Sequence, residues 1–341
     1  MVNVGLLECL DAALRDGEPG ILVFGRRAGR MLPCSPAMRA RTLMRIAELQ
    51  SGDLTTEPAA ALAHHPVVAT LRWHLERHWL RELDQIAIPE IDLGDATAVV
   101  DKLRRLAVRN RLPVVYGWLA DDADLEGVRR FLAADRSAYD VTDDVLAQAQ
   151  VGLGARGSRD LLARAQHEVR GAGSATQSHV ALHRGMAAAL RLHEVDASLG
   201  EESEEQCERD ALTALLASNH ALQPELLGAI AMTELQAAPR GRLLLRAIER
   251  HVAADGGGDD TLGYYRAIAD SDRSRGRIWL DALVRPAIDD DPTWAPRIVR
   301  GAVWRCELNA RFATWAWTRL TRSLEDEDSD DSRADDDAMV A

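Results

Sequence analysis

YYRAIADSDRSRGRIWLD, residues 264–281, is the stretch on which the reading of this chain turns. Ile268, Asp272 and Arg275 stand at i, i+4 and i+7, so a helix puts all three on one face. With imidazoles at the two outer positions, such a face would present two nitrogens and a carboxylate to a transition metal. Here the carboxylate stands between an aliphatic side chain and a permanent cation, and neither of those ligates.

Outward from that segment, helical periodicity dominates and strand alternation is nearly absent. Residues 2–15 form a short amphipathic segment, and helices are predicted over 38–49, 65–83, 95–109, 113–120, 124–136, 142–169 and 174–193. Five more follow over 203–218, 222–237, 240–254, 261–283 and 294–320. Leu71, Leu75, Trp79 and Leu83 make one apolar stripe. Pro224, Pro239, Pro292 and Pro296 fall near helix starts, where a missing N–H costs nothing. Gly17 to Pro36 reads as a loop region, with Ile21 to Phe24 as a lone short strand. Pro89–Gly94, Gly171, Gly173 and Gly256–Gly258 are breaks. No internal repeat is found. The expected fold class is all-α: an N-terminal helical extension over 1–60, a helical-bundle domain over 61–322 and a disordered acidic tail over 323–341.

The 341 residues are 47 % apolar, enough for a core that needs no staples. The four cysteines, Cys9, Cys34, Cys207 and Cys306, show neither CxxC nor zinc-type spacing, which fits a reducing cytoplasm. No apolar run approaches the ~20 residues that span a bilayer, and no signal peptide is recognised. Net charge is −13, and residues 325–337 carry nine acids against one arginine. That run reads as a solvated end, and a chain of this sign is a poor partner for nucleic acid. Abundant Ala and Arg, with Lys102 a rare lysine, suggest a GC-rich bacterial source. A homodimer is the default expectation.

Three carboxylates stand out. Glu234 lies among alanines and leucines in LLGAIAMTELQAAP, and a buried carboxylate must be paired, protonated or metal-bound. Glu168 ends a helix before Gly171, where it is either a ligand or an exposed helix-end acid. Asp272 is a poor helix-interior residue, which argues for a specific partner. His179 and His183 share the chelating i, i+4 spacing, as do His74 and His78, although ten histidines make such pairs common by chance. Trp279, Trp304, Trp315 and Trp317 are placed in the core or a dimer seam. HExxH, GxSxG, P-loop and GxGxxG contexts are absent.

In order, these pieces resemble the iron-containing redox enzyme family of the heme-oxygenase-like superfamily, whose members include dimetal oxidases and oxygenases. Three blocks carry the resemblance: AQVGLGARGSRDLLARAQHEVRGAGSATQSHVALHRGM (149–186), LASNHALQPELLGAIAMTELQAAPRGR (216–242), and YYRAIADSDRSRGRIWLD followed by WAPRIVRGAVWRCELNARF (294–312). It covers about 64–318. It implies a heme-oxygenase-like helical bundle, with Glu168, His179, Glu234 and Asp272 on metal-ligand places. Where members carry His-x3-Asp-x2-His, Ile268 and Arg275 replace the histidines. An upstream family carboxylate aligns loosely with Asp135.

The remaining ligands would hold one iron or manganese ion at most, with His183 or His167 completing the sphere. Arg275 is expected to turn inward and neutralise Glu234, Asp272 or Glu168 in place of metal. The resemblance therefore leaves two functions open: an oxidoreductase using dioxygen on a small organic substrate, or a non-catalytic pseudoenzyme that binds a small molecule or a partner protein. A third, metal-independent option would use Cys207 or Cys306, although an inert buried thiol is the plainer reading of each.

Overall fold

Alternate glycines and packed stripes decide where the helices begin and end. A computed structural model of the chain describes residues 5–32, 34–51, 58–88, 95–109, 113–135, 142–195, 203–252, 259–269 and 273–338. Among the described residues there are helices and no strand, so the all-α expectation holds. Four helices come first: α1 (Leu6–Arg15), α2 (Gly17–Ala28), α3 (Pro36–Ser51) and α4 (Pro66–Leu83). Then follow α5 (Ala96–Arg109), α6 (Val114–Asp121), α7 (Leu125–Asp135), α8 (Thr142–Gln150), α9 (Arg156–Val169) and α10 (His179–Ala189). The last six are α11 (Glu204–Ser218), α12 (Gln223–Val252), α13 (Asp259–Ala269), α14 (Arg273–Trp279), α15 (Arg285–Asp290) and α16 (Ala295–Ala338). The backbone of α16 continues through the acidic run 325–337, for which composition implies disorder.

Several boundaries differ from the sequence reading, each for a local reason. Residues 21–24 are not a strand. Ile21, Phe24 and Ala28 are buried while Leu22 and Val23 are about half exposed, which is helical spacing rather than alternation. The helix predicted over 142–169 is two, α8 and α9, because the chain turns through Gly152 at φ +76°. Conversely, Pro239 does not divide α12, although it removes one hydrogen bond. Gly241, just beyond it, packs against Ile268 of α13, and Leu235, just before it, packs against Gly276 of α14. Tertiary contact on both sides carries the helix across the proline. Of the segment 261–283, α13 and α14 are described on either side of 270–272, and a π-helical turn, Leu280–Val284, leads from α14 into α15.

Two apolar clusters fill the interior. One joins Leu6, Leu10, Leu43 and Ile46 of the N-terminal helices to Leu212, Leu227, Trp279, Ile298 and Trp304. The expected N-terminal extension thus shares the main core. The second gathers Tyr116, Phe131, Leu244, Tyr264, Tyr265, Phe312 and Leu320 around the later halves of α12 and α16. Trp279 and Trp304 are buried, and Trp304 Nε1 donates to the Leu83 carbonyl at 3.0 Å. Trp315 and Trp317 are partly buried against the second cluster, and Trp317 meets the Trp118 ring edge-on.

The first halves of α12 and α16 approach almost backbone to backbone. A Cβ added to Gly228 would lie 1.8 Å from the Ile298 carbonyl oxygen, and one added to Gly301 would lie 1.9 Å from that of Glu225. Two glycines therefore set the distance between the two longest helices. Fully buried Glu225 locks the crossing by accepting from Arg297 at 2.7–2.8 Å and from Arg300. Gly228→Ala and Gly301→Ala should each cost about 3 kcal/mol, the upper part of the overpacking range, because main chain must move. Urea unfolding of each variant measures this. Unchanged midpoints would mean that the crossing is looser than described.

Candidate functional site

Between the two apolar clusters lies a layer of charge. Its centre is α11, where Glu208, Arg209 and Asp210 follow one another and all three are buried. Three charged neighbours can be buried together only on a helix enclosed all round, and α3, α8, α12 and α16 enclose α11. Ser203 starts this helix by accepting from the Gln206 N–H at 3.0 Å.

Arg209 is 4 % exposed. Its Nη1 donates to Asp135 of α7 at 2.5 Å, its Nε donates to Asp210 at 2.9 Å, and its Cζ lies 3.8 Å from the centre of the Phe312 ring. Asp135 is 1 % exposed. Burial opposes the charge on Arg209, yet Asp210 and Asp135 together outweigh it and raise its pKa. On the other side of α11, Arg39 holds Glu208 at 2.8 Å and Glu82 at 2.7 Å. Burial pushes the Glu208 carboxyl up, against the pull of Arg39. Tyr116 is pushed up by burial as well, with Arg240 at its hydroxyl opposing.

Arg305 of α16 completes the layer. Its Nη1 donates to the Arg209 carbonyl at 3.2 Å and its Nη2 donates to Thr213 Oγ1. Burial lowers its pKa to about 10, with Arg209 the next cause and Arg240 adding to it against Asp210. A cavity of about 140 Å³ opens here between α8, α11, α12 and α16. Glu234, Arg240, Arg305 and Asn309 are among its walls.

The structure distributes the residues singled out from the sequence as follows. Glu234 is partly buried and lines that cavity. Glu168 is exposed at the end of α9, whose apolar face is formed by Leu162, Ala165 and Val169. The chain turns directly after it through Gly171, Ala172 and Gly173, all at positive φ. His179 stands at the start of α10, which Ser178 caps by accepting from Ala181 N–H at 3.2 Å. His179 and buried His183 both meet the Tyr264 ring edge-on, with centroids 6.1 and 5.2 Å away. Ile268 is partly buried and packs on Gly241: a Cβ there would lie 2.6 Å from Ile268 Cγ2.

Asp272 lies outside the described residues. Arg275 is on α14, its side chain also outside them, and α14 touches α12 through Gly276 at Leu235, next to Glu234. His74, His78 and His167 are exposed. Cys207 and Cys306 are buried, as expected of inert thiols.

The described residues gather no donor set for a two-iron centre, and Asp272 is not among them. Two bridged metal ions need about six carboxylate and imidazole ligands. Among the described residues no group of three or more His, Cys, Asp or Glu side chains is placed to hold a metal ion. Asp135, the upstream carboxylate, faces a guanidinium instead. Arg209, Asp210, Arg240 and Arg305 were not picked out from the sequence. The run Glu208-Arg209-Asp210 between Cys207 and Ala211-Leu212 was the available signal, and residues 206–212 of α11 are all buried.

Fold and site together define an all-α bundle with a polar layer inside its core. A family model described as iron-containing redox enzyme matches residues 129–310, slightly more than half of the chain. The chain belongs to this heme-oxygenase-like family. The match runs from α7 into α16 and contains Asp135, Arg209, Asp210, Glu234, Arg240, Arg305 and Asn309. No curated protein matches the chain. Among the described residues no helix is long and apolar enough to cross a membrane.

If Arg209 holds the layer together, Arg209→Met should cost about 3–5 kcal/mol, as expected for removing one partner of a buried ion pair. A double-mutant cycle with Asp135→Asn should return a coupling of about 1–3 kcal/mol. Denaturant unfolding of the four proteins decides it, and strictly additive losses would remove Arg209 from this role.

Proposed function

We propose that this member of the iron-containing redox enzyme family has lost the two-metal site and works as a metal-independent small-molecule-binding bundle. The observation that carries the reading is the Arg209–Asp135 pair at 2.5 Å. A permanent cation there neutralises the carboxylate that would otherwise face metal, and guanidinium does not deprotonate to make way for one. Ile268 supports it from a second side. It offers no donor, and its side chain is packed tightly on Gly241. Charge neutralisation by arginine is the device expected from the sequence. In this reading Arg209 supplies it, and Arg275 on α14, the arginine expected from the sequence, remains a further candidate.

A second reading rests on family membership. Glu234, His179 and Asp272, with Glu168, would hold one iron or manganese ion and support dioxygen-dependent oxidation of a small organic substrate. Glu168, His179 and Glu234 form no metal-holding group among the described residues, and Asp272 lies outside them.

Metal content separates the two. Protein produced with supplementary iron should carry less than about one-tenth equivalent of iron plus manganese by mass spectrometry, and its unfolding midpoint should not move in chelator. Ile268→His combined with Arg275→His should raise metal content if these are the lost ligand places. Near-stoichiometric metal in the unaltered chain, lost on Glu234→Ala, would overturn the metal-independent reading in favour of the oxidoreductase.

A further inference from the structure

The three arginines buried among the described residues are not equivalent. Arg39 and Arg209 each grip two carboxylates, whereas Arg305 reaches only a backbone carbonyl and a hydroxyl. Arg305 is 9 % exposed, and its Nε has no hydrogen-bond partner. Nη2 of Arg209 is buried without a partner beside it. A buried cation without a counter-ion is costly, because its hydration is lost and no charge replaces it. Arg305 makes no direct ion pair among the described residues, and Asp210 favours its charge only without contact, so the layer can take a further negative group there.

That place opens on the cavity between α8, α11, α12 and α16. Three cations line it, Arg209, Arg240 and Arg305, against the one carboxylate of Glu234, while Asp135 and Asp210 are not part of its wall. Asn309, one turn beyond Arg305 on α16, adds an amide, and Thr213, which accepts from Arg305, keeps its own proton to donate. The rest of the lining includes Leu146, Leu216, Leu226 and Ile230. The volume is about 140 Å³. At about 30 Å³ for each separate water-sized group that is about five groups, and covalently linked atoms pack closer, so a ligand of about six heavy atoms fits.

We propose that this cavity binds a short-chain aliphatic monocarboxylate, with the carboxylate on Arg305, Thr213 and Asn309 and the alkyl end among the leucines. The inference rests on the reading of the bundle as a metal-independent binder and names its ligand class. A carboxylate matches the edge of one guanidinium, while phosphate would place further charged oxygens against Leu146 and Ile230. The depressed pKa of Arg305, caused first by burial and then by the neighbouring cation Arg209, agrees with a site that favours added negative charge.

Butyrate is the probe, titrated into the full-length protein after treatment with chelator and assay of its metal content. Calorimetry should give saturable one-to-one binding, and n-butanol at the same concentrations should give none. Arg305→Met should weaken butyrate binding about ten-fold or more, the size expected for lost hydrogen bonds to a charged group. The same variant should unfold at a higher temperature without ligand, because the unpaired charge is gone. Should Arg305→Met fail to fold, Arg305→Lys and Thr213→Val should each still weaken binding.

No binding to metal-free protein overturns the inference and leaves the metal-independent reading intact. Equal binding by Arg305→Met, or an equal response to phosphate or chloride, also overturns it. Metal-loaded protein that keeps binding butyrate after chelation supports the site while sinking the metal-independent reading.

Discussion

The guanidinium of Arg209 sits where two apolar cores meet, and the interior depends on its being there. Moving a single ion of this size out of water costs several kcal/mol even after relaxation. Asp135 and Asp210 offset that cost by meeting it on two edges, and Phe312 takes its face. Because Asp135 ends α7 and Asp210 belongs to α11, the pair also fixes α7 against α11. Phe312 adds α16 to the same point. One side chain thereby joins three helices that the apolar clusters alone would leave free to slide, since apolar packing is not directional.

The glycine crossing of α12 and α16 is the other half of this constraint. Close approach at Gly228 and Gly301 draws the first halves of the two helices together. Further along, Glu234 and Arg240 on α12 and Arg305 and Asn309 on α16 line one cavity. Long polar side chains need that room. Small residues at one level and long ones at the next therefore convert a helix pair into a closed core with a chamber beside it.

Much of the fold was legible because it follows from local rules. The α4 stripe, Leu71, Leu75, Trp79 and Leu83, is buried throughout, and the helix starts at Pro66 with His65 as its cap. Where the reading went wrong, long-range contact outvoted local signal. Pro239 reads as a helix start, yet Gly241 and Leu235 are held by α13 and α14 on either side of it. Ile21 to Phe24 reads as a strand by composition, yet only Ile21 and Phe24 are buried. The site was legible to a lesser degree. Ile268 and Glu234 could be flagged because one lacks a donor and the other sits among apolar residues. Arg209 and Arg305 could not, because arginine on a helix reads as surface until the helices around it are known.

An arginine standing in for a metal, as proposed, has a further consequence. An ion arrives from solution, so a metal-built layer is complete only when metal is supplied, and binding and folding are linked. A guanidinium is part of the chain and is present as soon as the chain folds. In the proposed reading the bundle therefore no longer depends on metal for its internal charge balance. The cost is geometric. A metal takes up ligands from several directions, whereas a guanidinium donates only in its own plane. Arg209 uses that plane for Asp135 and Asp210, and the second cation, Arg305, makes no direct ion pair among the described residues. The arrangement that stabilises the fold without metal thus leaves one positive charge facing a cavity, and a bound anion is the partner that chemistry requires there.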